Sequence, residues 1–171
     1  DGGFIVTNDV KLSNFLKLKR NNGHIDRDHI KFFGTVSRLD AIQASILNFR
    51  LTKLEDVINK RIRNALTYKK NLANLNIYFP LERKNCRDTY HLFVIQLERR
   101  DQLKQYLFKN KIESNIHYPI PIHKQKFLKE KKIKLINTEK QSKRILSLPI
   151  NQYLSNKDIL RITSSIKSFI L

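Results

Sequence analysis

The chain of 171 residues carries 34 Lys and Arg against 15 Asp and Glu, a net charge of +19, with 40% hydrophobic residues, a single cysteine and no methionine. That hydrophobic share supports a core for one domain or slightly more, Cys86 has no partner for an internal disulfide and suits a reducing cytosol, and no segment approaches the ~18 consecutive apolar residues of a membrane span. The charge raises the possibility of nucleic-acid binding, but the excess is spread, at +3 over residues 1–50, +7 over 51–110 and +9 over 111–171. The dense run, residues 124–134, holds a single aromatic, Phe127, and so offers no stacking platform for bases. It reads as a solvated basic face, with anion docking as the alternative.

In chain order, Asp1-Gly2-Gly3 reads as a turn entering a strand over residues 4–7. With no Met anywhere, this opening reads as the middle of a fold and the chain as a piece of a longer polypeptide. Asn8 is positioned to cap a helix over 9–20, with Asp9 in its first turn and Lys17, Lys19 and Arg20 in its last. Leu12, Phe15 and Leu16 share a face, and Asn21-Asn22-Gly23 ends it. Residues 24–37 look irregular, with Gly34 as a hinge. Ser37 with Asp40 has the spacing of a capping box, opening a helix in which Leu39, Ile42, Ile46 and Phe49 recur at helical period. The period runs on through Leu54, Ile58, Ile62 and Ala65 to about Asn74, which is long for one globular helix and predicts a break near 50–52.

Residues 90–97 are apolar on both faces and read as a covered strand. A helix follows over 101–110 with Leu103 and Leu107 inward, then a second strand over 113–117. Residues 118–123 cannot be helical, because each proline extends its predecessor. Residues 138–146 read as a short helix closed by Leu148-Pro149. Ser155 and Asp158 cap a last helix bearing Ile159, Ile162, Ile166 and Phe169 on one face. The result is an α/β chain in two parts: residues 1–50, too few strands for a sheet of their own, and residues 51–171, a small α+β domain. Severed from sheet partners, the chain is expected to expose apolar surface at residues 4–6 and on the Leu39/Ile42/Ile46 face.

Few groups suggest chemistry on their own. Cys86 has no neighbouring base, and Cys86, His91, His117 and His123 lack the paired spacing of a zinc site. Asp1-Gly2-Gly3 is not a phosphate loop. Arg38 can grip an anion bidentately or pair with a nearby acid such as Asp40. His117 and Tyr118 sit at a strand end before a rigid turn, where ligand-binding groups gather. Tyr90 and His91 read as packing residues.

Five strings in series carry more: Asp1-Gly-Gly-Phe-Ile-Val-Thr-Asn-Asp9, Gly34-Thr-Val-Ser-Arg-Leu-Asp-Ala-Ile-Gln-Ala44, Tyr90-His-Leu-Phe-Val-Ile95, Ile116-His-Tyr-Pro-Ile-Pro-Ile-His123 and Leu146-Ser-Leu-Pro-Ile150. In this order and spacing the chain resembles the DegT/DnrJ/EryC1/StrS family of sugar aminotransferases dependent on pyridoxal 5'-phosphate (PLP). The resemblance implies the C-terminal part of a fold-type I PLP-dependent transferase. Residues 1–50 would end the large cofactor domain, and residues 51–171 would form the small C-terminal domain.

It also implies a reaction: transfer of an amino group, usually from glutamate, to a keto group of a nucleotide-linked sugar, in amino-sugar and polysaccharide or O-antigen biosynthesis. The setting would be a cytoplasmic homodimer with composite sites, with no nucleic-acid partner and no membrane span. The lysine that forms the Schiff base would lie upstream of Asp1, so no catalytic residue is assigned here and no metal is expected. The stretch over 34–40 would reach the neighbouring subunit's cofactor phosphate, giving Ser37 and Arg38 as cofactor-binding candidates. Val36 stands where an Asn is common, and its side chain cannot donate to phosphate, so a backbone N–H or Ser37 would have to serve. His117, Tyr118 and His123 are the substrate-binding candidates, and residues 26–33 with 117–123 would choose the sugar. A dehydratase of the same family, with histidine for the lysine, and a non-catalytic regulatory relative remain as alternatives; a basic nucleic-acid-binding module is the remote one.

Overall fold

The computed structural model describes residues 3–81, 83–131 and 133–171, with 129–131 described by backbone alone. Asp1 and Gly2 of the expected opening turn, and the four charged side chains of residues 129–132, lie outside the described residues. The chain divides into two compact units, Asp1–Lys53 and Leu54–Leu171.

The first unit holds helices α1 (Val10–Lys19) and α2 (Ala41–Leu51). The expected strand over 4–7 is not formed; a strand needs a partner to take its backbone groups, and Phe4 stands 90% exposed. Asp9, not Asn8, caps α1: its carboxylate accepts from the amides of Lys11 and Leu12 at 2.8 and 3.1 Å. A carboxylate at that place also meets the positive end of the helix dipole. After Arg20 the chain turns at Asn22 and Gly23, both at positive φ (56° and 77°), a region glycine enters without steric cost.

The loop then returns to the end of α1. Thr35 N donates to Lys19 O at 2.9 Å, Asn22 N to Thr35 O at 3.2 Å and Ser37 N to Arg20 O at 3.0 Å. Gly34 is therefore a point of close approach and not a hinge, since a Cβ there would overlap the backbone of Asn22 and Gly23. Phe15 and Phe32 stack under this return, with ring centroids 5.0 Å apart. Helix α2 begins three residues later than expected. Asp40 sits at its N-cap without a side-chain hydrogen bond, so the Ser37–Asp40 box does not form. No residue of α2 is buried within the chain, and Ile42 is 76% exposed. The expected break falls at Thr52, whose hydroxyl donates to Phe49 O at 2.8 Å.

The second unit contains α3 (Leu54–Leu72), β1 (Phe93–Gln96), α4 (Arg100–Lys109), α5 (Ile136–Ser142), β2 (Ile145–Leu148) and α6 (Asn156–Ile170). Strands β1 and β2 pair antiparallel, Phe93 opposite Leu148 and Val94 opposite Ser147. Single-residue bridges extend the pair on both sides, Tyr78 to Gln96 and Asn115 to Ser147. Helices α3 and α4 pack against α6. The core gathers Ala65, Tyr68 and Leu72 of α3, Phe93 and Ile95 of β1, Leu103 and Leu107 of α4, Leu146 and Leu148 of β2, and Ile159, Ile162 and Ile166 of α6. Burial of such side chains stabilises by roughly 1.5–3 kcal/mol each.

In three places the second unit departs from the expected elements. The strand over 113–117 reduces to the bridge at Asn115. The helix over 138–146 ends at Ser142, and residues 145–148 form β2 instead. The proline segment stays non-helical only as far as Pro121, after which Ile122–Lys124 makes one 3-10 turn, because a proline restricts the residue before it and not those after. The Ser155–Asp158 capping box of α6 forms as expected, the hydroxyl accepting from Asp158 N at 3.2 Å and the carboxylate from Ser155 N at 2.9 Å.

Candidate functional site

The site candidates fall in both units. In the first, the chain returning past α1 carries Val36, Ser37 and Arg38 to the surface in succession. Val36 is paired across to Asn21 and its side chain is exposed. The amide of Ser37 is already given to Arg20 O, and Ser37 O accepts from Arg20 Nε at 3.1 Å. What Ser37 has to offer a phosphate is therefore its hydroxyl, not its backbone N–H. The guanidinium of Arg38 donates to Asn21 Oδ1 at 2.7 Å and makes no ion pair with Asp40. One of its five N–H groups is thus occupied, on an exposed residue. A hydroxyl beside an oriented guanidinium is a donor set that fits an oxyanion such as a phosphate; Val36 adds only apolar contact.

In the second unit, His117 and Tyr118 follow the Asn115 bridge. The His117 ring is half-buried, with Nδ1 2.9 Å from Ser147 Oγ. Tyr118 is 73% exposed and meets the His117 ring edge-on at 5.5 Å. These two side chains therefore stand together, one anchored by Ser147 and the other exposed against its ring. His123 behaves differently. It is 8% exposed, and its Nε2 lies 3.1 Å from Glu139 Oε1, which also receives Lys124 Nζ at 3.2 Å and the Leu135 amide at 3.2 Å. The His123 contact, the Leu135 amide and Lys124, in that order, pull the Glu139 carboxyl down to about 2. His123 is thus tied into a knot that joins the 3-10 turn to the start of α5, apart in its bonding from the His117–Tyr118 pair.

Sequence reasoning did not single out Asn21, Ser147 or Glu139, the partners that orient Arg38, His117 and His123. Of these only Ser147 carried a signal: a lone hydroxyl inside the apolar run Leu146-Ser-Leu. Elsewhere, Tyr90 packs against Phe93 and receives Lys69 Nζ at its hydroxyl at 2.9 Å. Burial holds the Tyr68 phenol above its usual range, and its hydroxyl donates to Pro149 O at 3.0 Å. Among the described residues, no group of three or more His, Cys, Asp or Glu could hold a metal ion, and no helix is long and apolar enough to cross a membrane.

Residues 1–167 match the model of the DegT/DnrJ/EryC1/StrS aminotransferase family. The chain is 34% identical over 169 residues to the dTDP-3-amino-3,6-dideoxy-alpha-D-galactopyranose transaminase of Aneurinibacillus thermoaerophilus, covering 98% of this chain and 47% of that protein. It is 36% identical over 168 residues to the UDP-N-acetyl-3-dehydro-alpha-D-glucosamine 3-aminotransferase of Acidithiobacillus ferrooxidans, covering 98% and 46%. The crystal structure of S. venezuelae DesV superposes with a TM-score of 0.89 at 30% identity over 96% of this chain and 46% of that one. The chain thus spans about half the length of the relatives it matches.

Proposed function

Because the chain belongs to the DegT/DnrJ/EryC1/StrS aminotransferase family, we propose that it supplies substrate-binding and cofactor-phosphate-binding walls to an aminotransferase that moves nitrogen from glutamate to a keto sugar carried on a nucleotide. The fold, part of a fold-type I PLP-dependent transferase, agrees with this. The observation that carries the proposal is the continuity of the match: one family pattern from residue 1 to 167, shared with two transaminases named for dTDP- and UDP-linked sugars.

In this reading residues 1–50 end the cofactor domain and residues 51–171 are the small domain. The lysine that carries PLP belongs to the half of the relatives that this chain does not span. When bound, the cofactor would act as the electron sink for amino transfer. Ser37 and Arg38 would hold its phosphate across the interface of a homodimer, by hydroxyl and guanidinium. Val36 withholds the side-chain donor common at that place, leaving Arg38 to carry more of the charge. His117 and Tyr118 would line the sugar-nucleotide pocket, His117 through a ring held by Ser147 and Tyr118 through an exposed phenol. His123 would act on that pocket's wall by tying the following turn to Glu139. Residues 26–33 and 117–123 would choose the sugar, in a cytoplasmic enzyme of amino-sugar and polysaccharide biosynthesis.

The test joins this chain to the upstream half found in its relatives and assays glutamate-dependent amination of a panel of dTDP- and UDP-keto sugars with PLP. Amination of at least one, lost on replacing the upstream lysine, is the expected result. Loss of a sugar hydroxyl without gain of nitrogen would indicate a dehydratase, and a protein that never takes up PLP would overturn the proposal.

A further inference from the structure

We propose that Ser147 is a positioning residue for His117. Its hydroxyl fixes the ring in one neutral tautomer, so that His117 meets its ligand as an N–H donor at Nε2. The inference rests on the reading of His117 as a substrate contact.

Ser147 sits in β2 between β1 and the Asn115 bridge. It is in register with Val94 of β1, and on the other side its amide donates to Asn115 O at 2.7 Å while its carbonyl accepts from Asn115 N at 3.1 Å. Asn115 is two residues before His117, so the bridge fixes the relative positions of hydroxyl and ring. Ser147 is 5% exposed, and among the described residues the one hydrogen-bond partner of its Oγ is His117 Nδ1, at 2.9 Å.

Two arrangements satisfy that distance. If Nδ1–H donated to the serine oxygen, the serine's own hydrogen would be left in a buried place without an acceptor. If the serine donates to an unprotonated Nδ1, both the hydroxyl hydrogen and the ring lone pair are paired, and what stays unfilled is a serine lone pair. Unpaired donors are the costlier omission. The second arrangement therefore prevails, and the neutral ring carries its hydrogen on Nε2. A ring so fixed offers a donor to a keto, hydroxyl or phosphate oxygen of a sugar nucleotide, where the opposite tautomer would offer only a lone pair. Tyr118 stands edge-on to the same ring with centroids 5.5 Å apart and makes no hydrogen bond to Nδ1 among the described residues.

The experiment records the long-range proton–nitrogen correlation spectrum of the full chain labelled with nitrogen-15 histidine, assigned by His117→Asn, at a pH where the ring is neutral. Wild type is expected to show His117 with the hydrogen on Nε2 alone. Ser147→Ala is expected to show a mixture of both tautomers, and Ser147→Thr, which keeps the hydroxyl, to restore the single form. Thermal melts of the three chains identify any variant that has lost its fold. A Ser147→Ala spectrum identical to wild type, or a wild-type ring with its hydrogen on Nδ1, overturns the proposal. In the enzyme extended to the length of its relatives, Ser147→Ala is expected to raise KM for the sugar nucleotide about tenfold, equivalent to about 1.4 kcal/mol, with little change in kcat. A tautomer that responds to Ser147 while KM does not would uphold the positioning and count against His117 as a substrate contact.

Discussion

Asn21 holds Arg38. The two residues are 17 apart in sequence, yet the Arg38 guanidinium donates to Asn21 Oδ1 at 2.7 Å, because the loop between them closes back onto the end of α1. The pair is exposed, so its worth lies in orientation more than in stability. Arg38→Ala is expected to weaken PLP binding in the enzyme extended to its relatives' length by about 1.5–3 kcal/mol, the range for hydrogen bonds to charged groups. Asn21→Ala should weaken it by less, about 1 kcal/mol, and Arg38→Lys should not rescue, since an ammonium cannot present the planar fork. Cofactor titration followed by absorbance checks all three.

Acid should loosen the knot at Glu139. Its folded carboxyl lies at about 2 against an ordinary value of 4.5, held down first by His123, then by the Leu135 amide and Lys124. A carboxyl that binds its proton more weakly when folded adds stability above the unfolded value, and that stability is lost as pH falls through the folded one. The stability gap between wild type and Glu139→Gln should therefore be constant above about 4.5 and close progressively toward about 2. Urea midpoints measured across that window test this, and a gap that widened with acid would contradict it.

Ser155→Ala removes the reciprocal cap of α6. The expected loss is about 1 kcal/mol, read as a lower melting temperature, because the helix it opens carries Ile159, Ile162 and Ile166 into the core. Ser155→Asp, which can still accept at the same place, should recover most of it.

Gly23→Ala should be far more damaging than Gly3→Ala. Gly23 has φ 77°, and a Cβ there would overlap the Phe32 carbonyl oxygen, whereas nothing lies within 4 Å of such an atom at Gly3. The left-handed conformation alone costs an alanine roughly 1–2 kcal/mol, and the overlap adds to it. Denaturant unfolding of the two variants is the measurement, with Gly3→Ala expected within about 0.5 kcal/mol of wild type.

Much of the fold was legible because the deciding signals are local. The α6 box is written in Ser155 and Asp158, and the end of α2 in a helical period too long to remain straight. Leu103 and Leu107, both expected inward, are fully buried. What failed was non-local. Residues 145–148 carry no alternation to mark a strand, because they are covered on both faces and draw their identity from β1. Conversely, residues 113–117 look like a strand but find only one paired residue in Ser147. Residues 4–7 have strand composition without a partner to make them one. In the candidate site, the sequence reading picked out Arg38, His117 and Tyr118 by type and context, and Val36, Ser37 and His123 through the family resemblance. It missed Asn21, Ser147 and Glu139, since an orienting residue is defined by contact across the fold and not by spacing.

The return of the loop to α1 has a consequence for how this surface could diversify. Between the two glycines lies a lobe with its own internal ties: Ile25 N to His29 O at 3.0 Å, and Asp26 accepting from the amides of Asp28 and His29. The hydrogen bonds that seat residues 34–37 come instead from Lys19, Arg20 and Asn22. The lobe is thus a cartridge clipped into a frame. Its tip, residues 25–29, can be shortened, lengthened or rewritten while Phe32 keeps its stack on Phe15 and the Arg38 guanidinium keeps its post.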